Sequence, residues 1–367
     1  MGVRSRRAAR LLAIAGALVA VLVPRAEAAS PAFQVGITHT QYSADEWRDA
    51  TAVARAKTVL RTNVRLQAQA LMGWGAMSPE PAPGVYDWSS FDERMRLITS
   101  SGGTPIVTLC CAPDWMKGGV PDVTDWTKIE VAPSPLMYGE YAKLAVAAAK
   151  RHPEVKSFLV WNELKGFYNP LTNDWDITSY TNLYNTVYDA LKAYNPALKV
   201  GGPYVPMDIW ADRSTMSNPS TLTGTWGTVD QRSLNALTYW LSRAHGADMV
   251  VVDGGTWTKD RGVATDDLSA TAYFSAVTKW IRARTKLPVW WSEFTAAANT
   301  GTTPAHGVQV LDRALSTMQA AGVSVAMQWH NEGADTNCVT CLWTDTSTSA
   351  GGVQAPYAAV MRKYNRL

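Results

Sequence analysis

The sequence predicts a single (β/α)₈ barrel behind a short amino-terminal leader. Three observations lead there. Short apolar runs alternate with amphipathic stretches along the whole chain, the pattern of βα units and a mostly parallel sheet. Eight such units can be counted, the number that closes a barrel. Behind the leader, roughly 340 residues run without a Pro/Gly/Ser linker, a charge block or a short repeat, a length suited to one large barrel domain. An open doubly wound sheet is the alternative, but no glycine-rich dinucleotide fingerprint follows any of the strands.

The leader comes first. Arg4, Arg6, Arg7 and Arg10 precede an apolar run from Leu11 to Val23, and Ala26-Glu27-Ala28 offers a small-x-small cleavage site. This is the pattern of a secretory signal peptide over residues 1–29, and the run is too short to span a bilayer. The mature protein, residues 30–367, is then expected outside the cell, without stable membrane association. Five Arg and one Glu leave with the leader, so the formal +3 becomes 29 basic against 30 acidic side chains. The apparent basicity belongs to export, and a nucleic-acid partner is not expected.

The units follow in order. Phe33–Thr38 reads as the first strand, with a helix over Ala44–Arg61. Asn63–Met72 holds the second strand, and the turn Gly84-Val-Tyr-Asp-Trp88 leads into a helix over Ser90–Ser100. Thr104–Cys110 is the third strand, closed by Ala112-Pro113, and Tyr138–Arg151 has helical spacing. The fourth strand, Val155–Trp161, ends at Asn162-Glu163, and its helix, Ser179–Tyr194, stops at Asn195-Pro196 because proline cannot continue it. Lys199–Pro203, Ala247–Asp253, Leu287–Glu293 and Val323–Trp329 supply strands five to eight.

In such barrels the chemistry sits at the carboxyl ends of the strands. Asn162-Glu163 ends strand four and Glu293 ends strand seven, across the mouth from it. Cleaving a glycosidic bond takes one carboxylic acid to protonate the leaving oxygen and one carboxylate to attack or stabilise the anomeric carbon. Neither glutamate is flanked by an adjacent Lys or Arg of the kind that marks a surface ion pair. Sixteen tryptophans are many for this length. Trp74, Trp115, Trp161, Trp257 and Trp329 fall at or just past strand ends, where aromatic faces suit the C–H face of a sugar. His39, His330 and Asp253 also end strands. Without a His-Glu-x-x-His or comparable spacing they read as partners for sugar hydroxyls, so no metal and no cofactor is expected. No Gly-x-Ser-x-Gly elbow supports a serine hydrolase.

Several segments together resemble a known group. Val160-Trp-Asn-Glu163 and Trp291-Ser-Glu293-Phe are similar to the acid/base and nucleophile segments of clan A glycoside hydrolases. Gly84-Val-Tyr-Asp-Trp88, Ala112-Pro-Asp-Trp115 and Asn195-Pro196 with Lys199-Val-Gly-Gly-Pro203 resemble glycoside hydrolase family 39 and its secreted actinobacterial members. The resemblance covers roughly residues 33–332. It implies a retaining double displacement on an oligo- or polysaccharide, with Glu163 as acid/base, Glu293 as nucleophile and Asn162 bound to the neighbouring sugar hydroxyl. Glu163 should then have a raised pKa. By the same resemblance Trp329 would form the sugar-binding floor, and His39, Trp115, Asp253 and Trp257 are expected around it from their places at strand ends. Leu164 stands where many relatives have proline, and Asp253-Gly-Gly where xylosidase-like members have His-x-Tyr. The sugar is therefore left open, among xylosides, arabinosides, galactosides and glucosides. A non-catalytic carbohydrate-binding barrel is the alternative, although such proteins usually lose one of the two carboxylates.

The four cysteines of an exported chain suggest disulfides. A local Cys338–Cys341 bridge is the first expectation, and an adjacent Cys110–Cys111 bridge a further one.

Overall fold

Eight parallel strands close on themselves in chain order, each followed by a helix on the outside, in the computed structural model. It describes residues 1–2, 33–41, 43–45, 47–211, 218–263, 266–296, 303–329, 332–333 and 340–367. Ala32–Leu367 form one compact unit. The expected leader, residues 1–29, lies outside the described residues apart from its first two.

The strands are β1 (Gln34–Thr38), β2 (Leu66–Ala70), β3 (Thr104–Leu109), β4 (Ser157–Val160), β5 (Lys199–Pro206), β6 (Met249–Gly255), β7 (Val289–Thr295) and β8 (Val325–Gln328). β8 pairs with β1 and closes the ring, with Gln34 opposite Val325 and Ile37 opposite Gln328. The helices are α1 (Ala50–Asn63), α2 (Ser89–Ser100), α3 (Tyr138–Arg151), α4 (Ile177–Tyr194), α5 (Gln231–Arg243), α6 (Ala272–Arg282), α7 (Pro304–Ala321) and α8 (Tyr357–Asn365). Asp49, Asp176, Asp230 and Thr303 cap the amino ends of α1, α4, α5 and α7 by accepting from backbone N–H groups that have no partner inside the helix.

Two apolar layers follow from strand alternation. Leu66, Ala68, Ile106, Leu159, Tyr204, Met249, Val251, Val325 and Met327 fill the interior of the barrel. A larger layer separates strands from helices; Trp291, for example, packs edge to face on Phe274 of α6 at 5.0 Å. The interior is a packed plug, so the barrel itself offers a ligand its mouth and not its axis.

Sequence periodicity does not announce the excursions between strands and helices. A hairpin (Tyr168–Asn169 with Asp174–Trp175) follows β4, a three-stranded sheet (Ile209–Trp210, Pro219–Gly224, Gly227–Asp230) follows β5, and a second hairpin (Trp257–Thr258 with Gly262–Val263) follows β6. All leave from carboxyl ends of strands, so they add walls to the mouth. Cys110 and Cys111, at the end of β3, are disulfide-bonded to each other. Cys341 is disulfide-bonded as well, while Cys338 lies outside the described residues.

Candidate active site

Two irregular strand ends aim the central side chains. After β4 the chain winds sharply, with Trp161, Glu163 and Leu164 at φ of 68°, 49° and 53°. Left-handed backbone is costly for large side chains, by about 1–3 kcal/mol each, and survives where the surroundings over-determine it. Here Trp161 is fully buried and edge to face with both Tyr141 and Phe167, and its Nε1 donates to the Lys165 carbonyl at 2.7 Å. On β7 the register shifts between Trp291 and Phe294. Both of those rings pack outwards on Phe274, so the extra residue between them turns Glu293 inwards.

Glu163, Asp253 and Glu293 converge at the mouth, and each places a carboxyl oxygen within 4.8 Å of the others. They lie in a cavity of about 510 Å³. Its walls come from Trp74 after β2, Lys165, Gly166, Tyr168 and Trp175 after β4, Pro206–Ile209 after β5, Trp257 and Lys259 after β6, and Thr295 and Trp329 after β7 and β8. Of the residues expected from sequence, Glu163, Glu293, Asp253, Trp74, Trp257 and Trp329 line this cavity, whereas His39, Trp115, Asn162 and Trp161 do not. His39 is buried in the fold, with Nε2 3.0 Å from Gln67 Oε1, and does not line the cavity. Trp115, in the loop after β3, donates its Nε1 to the carbonyl of Glu80 in the loop after β2 at 2.9 Å. Asn162 is buried beside Glu163 with its Oδ1 unpartnered. His330 lies outside the described residues.

The sharp turn after β4 also overturns the expectation that Glu163 has no basic neighbour. It folds Lys165 back so that Nζ lies 2.9 Å from Glu163 Oε2 and 2.8 Å from Glu130 Oε1, over the Trp74 ring at 4.8 Å. The consequence for ionisation is the reverse of the expected one. Burial pushes the Glu163 carboxyl up, but a hydrogen bond from Asp253 and the Lys165 ammonium outweigh it and hold Glu163 below the ordinary glutamate value. Burial pushes Glu293 up to about 8, helped by the Glu163 charge and opposed by Lys165 and Tyr204. The Tyr204 hydroxyl makes no well-aligned hydrogen bond there, so its opposition is incomplete. Asp253 is raised well above the usual carboxyl range by burial and by the charges of Glu163 and Glu293. Of the three, Glu163 is thus the first to lose its proton, and Asp253 and Glu293 hold theirs to higher pH.

Three converging carboxyls are also the one set of His, Cys, Asp or Glu side chains among the described residues that could offer a cation three ligands. The Lys165 ammonium and the Asp253 hydrogen bond already engage Glu163, so the charge of the cluster is balanced from within.

No known family profile matches the sequence, and no curated protein is recognisably similar to it. Solved structures do share the fold. A monomeric beta-xylosidase from Caulobacter crescentus CB15 superposes with a TM-score of 0.64 at 18% identity, over 92% of this chain and 69% of that one. The GH39 enzyme from Xanthomonas axonopodis pv. citri gives 0.62 at 17%, over 92% of this chain and 66% of that one. The exo-beta-1,4-mannosidase Op5Man5 from Opitutaceae bacterium strain TAV5 gives 0.60 at 14%, over 91% and 59%. At these identities the likeness is one of fold.

Proposed function

We propose that this chain is an exported glycoside hydrolase that cleaves glycosidic bonds with retention of configuration, using Glu163 as acid/base and Glu293 as nucleophile. The observation that carries the reading is the convergence of the two glutamate carboxyls to within 4.8 Å at the floor of a cavity walled by tryptophans. Retaining enzymes hold their two carboxyls about 5–5.5 Å apart, whereas inverting ones leave about 6.5–9.5 Å for a water. The shorter separation favours direct attack by Glu293. The fold likeness to enzymes described as a beta-xylosidase and an exo-mannosidase supports a saccharide substrate.

In the first step Glu293 attacks the anomeric carbon, the glycosidic bond breaks and Glu163 gives its proton to the leaving oxygen. In the second, Glu163 takes a proton from water, which attacks the same carbon and releases Glu293. The first step needs the proton on Glu163 and the charge on Glu293; a neutral sugar against Glu163 strips water from it, which favours its protonated form. Asn162, with its unpartnered oxygen next to Glu163, remains the candidate for the neighbouring hydroxyl, and Trp329 for the floor. Export is supported by the leader sequence and by the disulfide-bonded cysteines, which persist in oxidising compartments.

The test is hydrolysis of a panel of aryl xylosides, arabinosides, galactosides, glucosides and mannosides, with the first-formed product followed by NMR. A product of unchanged anomeric configuration is expected. An inverted first product overturns retention, and no turnover on any sugar favours a binding barrel.

A further inference from the structure

Tyr168 and Trp175 stand apart from the other aromatic side chains near β4. Trp161 and Tyr180 are fully buried, whereas Tyr168 is 43% exposed on the cavity wall and Trp175 is half-buried beside it. Their rings meet edge to face at 5.4 Å across the hairpin. An exposed aromatic pair facing a cleft is an unsatisfied apolar surface suited to the C–H face of a sugar.

The hairpin is also held still. At its root, Gly166 (φ +75°) lies so close to the loop after β3 that a Cβ would sit 2.3 Å from the Ala132 nitrogen. Lys165, one residue before, reaches Glu130 of the same loop at 2.8 Å. At its tip, Arg232 Nη1 donates to the Asn173 carbonyl at 3.1 Å and to Asn173 Oδ1 at 2.6 Å, and the Tyr168 hydroxyl pairs with that Oδ1. Asp230 in turn holds Arg232, with Nε 2.9 Å from Oδ1, and accepts from Trp210 Nε1 at 2.9 Å. A wall fixed at both ends costs little further ordering when it binds.

Topology says which part of a substrate it meets. The anomeric carbon must lie at Glu293 on β7 and the leaving oxygen at Glu163 on β4. β5 and β6 separate these strands on one side of the ring. The leaving group therefore extends from Glu163 over the chain that follows it, which is this hairpin. We propose that Tyr168 and Trp175 form a leaving-group subsite for an uncharged sugar ring, with Arg232 as its positioning residue. The substrate is then an oligosaccharide and not a glycoside of a small alcohol; the assignment rests on the glycosidase reading above.

The test compares two substrates of one sugar: its glycosyl fluoride, whose leaving group is too small to reach the hairpin, and its trisaccharide. The variant Y168A/W175A should lose about tenfold or more in kcat/KM on the trisaccharide, the scale of lost aromatic stacking and burial. On the fluoride it should stay within about twofold, which also reports that it folds. Arg232→Met should show the same selective loss, more weakly. In the wild type, enzyme trapped with a 2-deoxy-2-fluoroglycosyl fluoride should be reactivated saturably by the disaccharide as acceptor. Equal losses on both substrates, or an unsaturable reactivation, overturn the subsite while leaving the glycosidase reading intact. A wild type inert towards every fluoride and trisaccharide overturns both.

Discussion

Replacing Lys165 by Met tests the electrostatics of the site at its most unusual point. The ammonium touches Glu163 at 2.9 Å and shares itself with Glu130 at 2.8 Å. Both members of the Lys165–Glu163 pair are partly shielded, at 22% and 26% side-chain exposure, so water screens the attraction only in part. An opposite charge at this range lowers a carboxyl pKa by about 1–3 units, equivalent to about 1.4–4 kcal/mol between its two protonation states. The sharing with Glu130 argues for the lower half of that range. Without Lys165 the protonated form of Glu163 persists to higher pH, so the acid limb of kcat/KM, set by the lower-titrating Glu163, moves up by about one pH unit. The same ammonium lowers Glu293, so the alkaline limb should move up too, by less. Because the carboxyls titrate together, each limb belongs to the cluster and not to one residue. The assay is kcat/KM against pH on an unactivated oligosaccharide, for wild type and Lys165→Met. A Lys165 that only braces the loop would lower the height of the profile and leave both limbs in place, and that result would refute the reasoning.

Three further outcomes are expected. Glu293→Ala should lose several orders of magnitude in turnover, and azide should restore part of it with a product of opposite anomeric configuration, since only one inversion remains. His39 is held neutral, with a pKa of about 3 against an ordinary 6.5, by burial and by Arg94, so the unfolded chain binds a proton there that the folded one refuses. Stability is therefore lost as pH falls below 6.5, by about 1.4 kcal/mol per pH unit from this group, and His39→Gln should flatten the fall in urea unfolding free energy between pH 6 and 4. Thiol labelling of the native exported protein should find none of the four cysteines free, and labelling of Cys338 or Cys341 would contradict the expected bridge.

The barrel was legible because each strand is a short apolar run, and residues at the carboxyl end of a run must face the mouth or the helices. That alone brought out Glu163, Glu293, Asp253, Trp257 and Trp329, all of which line the cavity. It could not tell mouth from helix layer, which is why Trp161 and His39, equally close to strand ends, prove to be buried in the fold. Trp115 failed for a related reason: the turn Asp114–Lys117 redirects it to the Glu80 carbonyl. Lys165 was missed because a basic residue two places from an acid does not ordinarily contact it. The contact exists only because three residues between Trp161 and Leu164 adopt left-handed backbone. Tyr168 and Trp175 left a fainter signal, two aromatics bracketing the turn-forming stretch Asn169–Asp174, which reads as a hairpin only once its ends are known to meet.

The placement of Glu293, the proposed nucleophile, shows why regular alternation is an incomplete guide at such a site. On β7, Trp290 reaches the barrel interior and Trp291 the helix layer, so strict alternation would send Ser292 inwards and Glu293 out against the helices. The pairing skips a residue instead: Val252 of β6 faces Trp291, while Asp253 faces Glu293. β5 does the same one strand further on, where Val251 faces Pro203 and Val252 faces Val205, leaving Tyr204 as the extra residue at φ 55°. Each bulge delivers one side chain to the interior, and the two delivered, Glu293 and Tyr204, act on each other. β6 stays in phase between them and carries Asp253 inwards by plain alternation from Met249 and Val251. A carboxyl held beside a second carboxyl is unfavourable while both are charged. The joint effect of the bulges is to set Glu293 next to Glu163 and Asp253 and to back it with Tyr204, a placement whose electrostatic cost the proposed chemistry explains.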